Sequence, residues 1–248
     1  MQARAANGRA GEGDWMRIFA IGDLHLSGAQ PKSMDVFGRH WARHWDRIRA
    51  NWREVVQPQD VVLVPGDISW AMDLGGAQVD LDEICQMPGQ KVLLRGNHDY
   101  WWSSLSRVRA ALWGDTYALQ NDCIRLGDVA VCGTRGWLCP NPGQFSAQDE
   151  KIYNRELGRM ELSLKAFQKT GLPTENLVVM THYPPFNDHQ EPSGFTALYA
   201  QYGVKRAVYG HLHGAGLRNA YEGTMDGVQY FLTSCDYLEF KLQLIAQI

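Results

Sequence analysis

Three things are scarce in this chain of 248 residues. Long apolar runs are the first: no stretch approaches the ~18 residues that a bilayer-spanning helix needs, so a membrane-embedded function is not expected. Basic clusters are the second. Lys and Arg total 24 against 27 Asp and Glu, for a net charge of −3, and no basic run or stripe appears. That balance argues against a long nucleic acid as partner and leaves a small ligand as the expectation. Cysteine is the third. Cys85, Cys123, Cys132, Cys139 and Cys235 are odd in number and include no CxxC pair. They read as reduced, mostly buried thiols of a cytoplasmic protein rather than as a disulfide framework or a cysteine zinc site. Residues 1–15 are rich in Ala, Gly and Arg and lack an apolar core. They resemble neither a secretory signal nor a folded element, and a flexible extension is expected there, followed by one domain over residues 16–248.

What is present is ordinary in bulk and informative in pattern. Hydrophobic residues at 45% and charged residues at 21% suit a globular protein, and the length suffices for a large core without covalent staples. Met16–Gly22, Asp60–Pro65 and Lys91–Arg95 are short apolar runs that read as strands. Between and after them, helical spacing marks residues 40–57, 77–87 and 101–113. The second half turns toward β. Cys123–Leu126 and Val129–Gly133 flank Gly127-Asp128 as a hairpin, a helix is expected over 149–170, and strands are expected over 177–180, 207–209, 230–234 and 240–245. Alternating strands and helices imply parallel pairing in the first half, and the β-rich second half implies another sheet. The expected fold is α/β: a four-layer α/β/β/α sandwich of two mixed sheets flanked by helices.

Five short motifs follow the expected strands. They are Asp23-Leu24-His25, Gly66-Asp67, Gly96-Asn97-His98-Asp99, Thr181-His182-Tyr183-Pro184-Pro185 and Gly210-His211-Leu212-His213. In sheets of this kind ligands gather beyond the carboxyl ends of the strands, where all five fall. Asp23 with His25, and His211 with His213, are spaced to project the same way from an extended chain. Two half-sites emerge: Asp23, His25, Asp67 and His213 in one, and Asp67, Asn97, His182 and His211 in the other, with Asp67 bridging. Mixed oxygen and nitrogen donors suit Mn, Fe or Zn better than Ca or Mg. Two divalent ions against two carboxylates leave a positive centre that attracts an anion and generates hydroxide near neutral pH, as hydrolysis of a phosphoester requires. His98 lies beside these residues without being needed as a ligand. It is assigned to protonating the leaving oxygen or steadying the charged phosphoryl group, with Asp99 orienting its ring.

This ordered series resembles the calcineurin-like metallophosphoesterases over residues 16 to about 214. The resemblance implies the same β-sandwich with flanking helices and a dinuclear centre on the seven residues named. The segments Phe19–Ser27, Met34–Gly38 and Gly66–Met72 further resemble a bacterial group of predicted phosphohydrolases, which brings no substrate with it. Protein Ser/Thr phosphatases of the superfamily carry an Arg soon after Gly-Asp and a Glu after Asn-His. Here Ile68-Ser69-Trp70 and Asp99 stand instead, so protein-phosphatase activity is not expected.

Outside the motifs, Arg135 in Gly133-Thr134-Arg135-Gly136-Trp137 is the candidate for a phosphate clamp, and Trp70, Tyr100, Trp101, Trp102 and Trp137 are candidates for stacking a flat group. The function expected is a phosphohydrolase with two divalent metal ions, cleaving a phosphomonoester or phosphodiester of a small molecule by hydroxide attack. The alternatives are a nuclease of the same superfamily and a non-catalytic metal-bound scaffold.

Overall fold

The computed structural model describes residues 15–248, so the extension expected over residues 1–15 lies, but for Trp15, outside the described residues. The first sheet has the order β11-β1-β2-β3-β4. Its strands are β1 (Arg17–Ala20), β2 (Val61–Val64), β3 (Gln90–Leu94), β4 (Thr116–Leu119) and β11 (Gln243–Gln247). The second has the order β5-β6-β7-β8-β10-β9. It is built from β5 (Cys123–Leu126), β6 (Val129–Thr134), β7 (Leu177–Thr181), β8 (Arg206–Tyr209), β9 (Gly223–Met225) and β10 (Val228–Leu232). β1 to β4 are mutually parallel, as are β6, β7, β8 and β10; β5, β9 and β11 add antiparallel edges.

Alternation along the strands explains the layers. Ile18, Ala20, Leu63, Val92, Val131, Val178 and Met180 meet between the sheets in one core. The opposite faces of β1 to β3 contribute Phe19, Val62, Val64 and Leu93 to a second core, under α1 (His44–Val55), α2 (Leu74–Cys85) and α3 (Leu105–Ala111). Ala130, Cys132 and Val179 face a third core, under α4 (Ala147–Gln168) and α5 (Gly194–Gln201). Strands buried on both faces must be apolar at every position, which is why β2 reads Val-Val-Leu-Val. The result is the mixed α/β/β/α sandwich that the sequence implies. Among the described residues no helix is long and apolar enough to cross a membrane.

Several boundaries differ from the spacing. Helical periodicity over residues 40–57 spans a 3-10 turn at Arg39–Trp41 and then α1, because Arg43 takes a left-handed conformation between them. α3 is shorter than its pattern, and β4 and α5 carry no sharp signal. The last strand begins at Gln243, not Phe240, because Glu239 and Phe240 both adopt positive φ, 51° and 62°. It crosses back to pair antiparallel with β1, so the chain's β-rich end serves both sheets. α4 is fixed at its start by a reciprocal capping box between Ser146 and Asp149.

Candidate metal centre

The carboxyl ends of β1, β2 and β3 in one sheet, and of β7 and β8 in the other, open onto a common region. Asp23 and His25 leave β1, Asp67 leaves β2, Asn97 and His98 leave β3, His182 leaves β7, and His211 and His213 leave β8. Asp23 and His25 do share a direction, but the pleat is not the cause. Both have positive φ, 57° and 46°, as do Asp67 at 51° and His211 at 74°. Side chains other than glycine avoid this region, and four of them held there in one site is backbone strain concentrated where function resides. The motif glycines make room. A methyl on Gly96 would collide with the Asp67 carboxylate, and one on Gly210 with that of Asp23.

The seven candidate ligands converge. His182 Nε2 stands 2.6 Å from Asn97 Oδ1 and 3.5 Å from Asp67 Oδ1. His211 Nδ1 is 2.9 Å from Asn97 Oδ1 and 3.3 Å from His182 Nε2. His213 Nε2 is 3.4 Å from Asp23 Oδ1, and His25 Nε2 is 3.8 Å from Asp67 Oδ2. Donors about 2.0–2.2 Å from one ion sit roughly 3.0–3.5 Å from each other, so these spacings suit the edges of a coordination shell. Two groups of possible ligands stand out among the described residues: Asp23, His25 and His213, and Asp23, Asp67 and His182. Asp23 belongs to both. Asp67 also faces two ways, Oδ2 toward His25 and Oδ1 toward His182.

Divalent cations fit this donor set on the geometry alone. His182 Nδ1 is 2.9 Å from the Pro65 carbonyl, which can only accept, so Nδ1 carries the proton and Nε2 presents a lone pair to the Asn97 oxygen. Acceptor facing acceptor at 2.6 Å is repulsive, and a cation bound there relieves it. His213 is held similarly, with Nδ1 on Asp236 Oδ1 at 2.7 Å, while its Nε2 is buried without a hydrogen-bond partner. Fixing the far nitrogen with a carbonyl or carboxylate is how imidazole ligands are oriented.

Electrostatics agree with a site built for added positive charge. Burial opposes ionisation of Asp23, but His213, His182 and His25 hold its carboxyl well below the usual range. Burial, and then the Asp23 charge, push Asp67 up to about 7. Two carboxylates this close do not both ionise freely without a cation between them. Burial lowers His25 and His211 to about 3 and keeps them neutral, the form that ligates. For His213 burial acts in the same direction, but Asp23 and Asp236 outweigh it and raise the group to about 10.

His98 sits at the edge. Its backbone N–H donates to Asp67 Oδ1 at 2.8 Å, and its ring lies 4.7 Å from that of Trp70 and 5.9 Å from that of His25. Asp99 does not orient it, contrary to the expectation from adjacency. Fully buried, Asp99 accepts from the backbone N–H of Ile68, Ser69 and Gly96 and from the Trp101 indole. Successive side chains on the loop point apart, and the carboxylate is spent on holding the Asp67 and Asn97 loops together; packing by Trp70 positions His98 instead.

Arg135 stands apart from the ligands. Its carbonyl accepts the N–H groups of His182 and Tyr183, at 3.1 and 3.0 Å. Its guanidinium lies over the Trp137 ring at 4.9 Å and borders a small cavity of about 80 Å³ with Arg95, Glu156 and Arg159. Of the aromatic candidates, Trp70 stacks on His25 at 4.8 Å, whereas Trp101 and Trp102 are buried in the core under the first sheet. Sequence reasoning passed over Asp236, which carries no motif and reaches His213 only through the fold after β10. It also passed over Arg95, whose Nε is buried without a partner, although the residue directly precedes Gly96 and was within sight of the motif.

Comparison with known proteins follows the same line. The sequence matches the family described as calcineurin-like phosphoesterase over residues 16–215. No curated protein matches it significantly. Among solved structures, a protein of unknown function, AQ665 from Aquifex aeolicus, is 15% identical, with 92% of this chain and 95% of that one covered and a TM-score of 0.47. A phosphopantetheinyl hydrolase, PptH from Mycobacterium tuberculosis, is 13% identical, with 94% and 96% covered and a TM-score of 0.56. The likeness to the second is one of fold.

Proposed function

The chain belongs to the calcineurin-like phosphoesterase family, whose members are metal-dependent hydrolases of phosphoester bonds, and from that premise we propose a dinuclear phosphohydrolase that cleaves a small phosphomonoester or phosphodiester. The observation that carries this reading is the convergence of seven candidate ligands, Asp23 and Asp67 among them, with the lone pairs of His182 and Asn97 turned toward each other. Asp23, His25, Asp67 and His213 would hold one ion, and Asp67, Asn97, His182 and His211 the other. The mixed donor set favours Mn, Fe or Zn. Bound there, such ions supply Lewis acidity toward phosphoryl oxygens and a water acidic enough to attack near neutral pH.

The remaining steps belong to the side chains. His98 gives a proton to the leaving oxygen; burial lowers its pKa, which makes the imidazolium a stronger acid but leaves less of it protonated at neutral pH. Asp236 keeps His213 in the orientation that turns Nε2 inward. Arg135, its guanidinium over the Trp137 ring, is the side chain assigned to a far oxygen of the substrate. The protein is placed in the cytoplasm, with its thiols reduced.

The test is metal analysis of the purified protein, followed by rates on a generic monoester, a generic diester and DNA with added Mn. About two metals per chain and hydrolysis of at least one small ester are expected. His98→Ala should keep the metals and lose about 10²–10⁴-fold in turnover, the usual worth of a general acid. Arg135→Ala should raise KM more than it lowers kcat. Unchanged turnover in His98→Ala removes that residue from the mechanism. Metal binding without hydrolysis of any substrate would make the protein a scaffold, and DNA cleavage as fast as that of small esters would make it a nuclease.

A further inference from the structure

A cleft of about 360 Å³ opens directly on the centre, and the ligand chemistry makes no use of most of its wall. Its floor is formed by the imidazoles of His25, His98 and His213, and its walls by Phe37, Trp41 and Trp70. The indole of Trp70 lies parallel to the His25 ring within 20° and 4.7 Å from that of His98. Trp41 packs 6.2 Å from His25 and 5.9 Å from His213. The Trp70 N–H is already directed at Met34 Sδ, 3.3 Å away, so that wall offers ring carbon rather than a donor.

Among the described residues the polar lining of the cleft is His25, His40, His98, His213 and Asp236, the last engaged by His213. Lys32 lies over the Trp70 ring at 4.7 Å and borders a neighbouring depression. An apolar cavity of ~150 Å³ accepts a single benzene, so this cleft has room for one or two rings. Val36 and Phe37, in the 3-10 turn at Met34–Phe37, expose 79% and 60% of their surface, Phe37 at the cleft itself and Val36 beside it.

We propose that this cleft receives the leaving group of the substrate, and that the leaving group carries a planar ring that packs against the aromatic wall of Phe37, Trp41 and Trp70. The ester is then one in which His98 lies between the scissile oxygen and the aromatic wall, placed to protonate the departing alcohol or phenol. The leaving oxygen takes that proton as the P–O bond breaks, and water supplies the new oxygen on phosphorus. This assignment rests on the phosphoester reading and adds the class of alcohol to it.

The test is equilibrium binding, independent of turnover. Phenylphosphonate and methylphosphonate share the charged head and differ only in the ring, and both resist hydrolysis. Titration of the metal-loaded protein should show phenylphosphonate binding about tenfold more tightly, the expected worth of one buried ring. Phe37→Ser should bring the ratio toward one while leaving methylphosphonate affinity unchanged. The exposure of Phe37 keeps this variant folded. Equal affinities in the wild type would overturn the inference and leave the phosphoester reading standing. If the metal-loaded protein bound neither phosphonate, both would fall.

Discussion

The carboxylate of Asp99 joins two loops that must stay in register for Asp67 and Asn97 to meet. Its four partners are N–H groups 2.7–3.1 Å away, all buried or nearly so. Hydrogen bonds to a charged acceptor are worth roughly 1.5–3 kcal/mol each, and donors left buried without partners cost more than the bonds return. Asp99→Ala should therefore destabilise the fold by about 3–5 kcal/mol, read as a lower denaturant midpoint at unchanged slope, and weaken metal binding in what remains folded. A loss under about 1 kcal/mol would show that the carboxylate does not hold the loops. At this scale the ligand types were legible, because Asp, Asn and His beyond strand ends have few other uses in such a pattern. The role of Asp99 was not, since sequence adjacency says nothing about where the next side chain points in an irregular loop. Asp236 was illegible for a different reason: it lies 23 residues from the histidine it orients.

Lys91 shows what the strand pattern hides. It reads as the polar start of an apolar run, yet in β3 it is 3% exposed, with Nζ 2.9 Å from the Met87 carbonyl and 3.3 Å from that of Cys85, just past the end of α2. A helix C-terminus favours a cation, and that contact ties α2 to the sheet. Burial nonetheless lowers the lysine pKa. A lysine whose folded pKa lies below its unfolded value binds its proton less tightly in the folded state. Its contribution to stability therefore grows as pH rises toward the ordinary value of 10.5. The stability of the wild type relative to Lys91→Met should increase between pH 7 and pH 10, measured by denaturant unfolding at each pH. A gap that stays constant or moves the other way would contradict the buried-charge account. Elements themselves were readable where period and length agreed, as in β2 or the Cys123–Thr134 hairpin. They were not where tertiary contacts set the ends: Arg43 splits the first helical pattern, and a left-handed pair at Glu239 and Phe240 delays the last strand.

At the scale of the molecule, the layers follow from alternating strands and helices, but one topological feature does not. β11 returns to β1, the strand that delivers Asp23 and His25, and so locks the chain's end to the start of the site. No local signal dictates which sheet a final strand joins; the choice follows from which edge remains open once β1 has paired with β2. The candidate ligands come from both sheets, three of them after β1 and β2 and three after β7 and β8, with Asn97 after β3. Any ion bound there cross-links the two halves of the sandwich and favours the folded state by mass action. At about 100 times its dissociation constant, one such ligand adds roughly 2.7 kcal/mol. For a chain of this size each kcal/mol moves the midpoint by about 2–4 °C. Stripping the protein with a chelator and restoring Mn should raise Tm by about 5–10 °C. Asp67→Asn, which turns one face of the shared carboxylate into an amide, should abolish most of that gain, while substitution of an exposed residue far from the site, such as Lys151→Ala, should preserve it. If the metal-dependent gain survived in Asp67→Asn at full size, the ion would not be bridging the sheets through that residue.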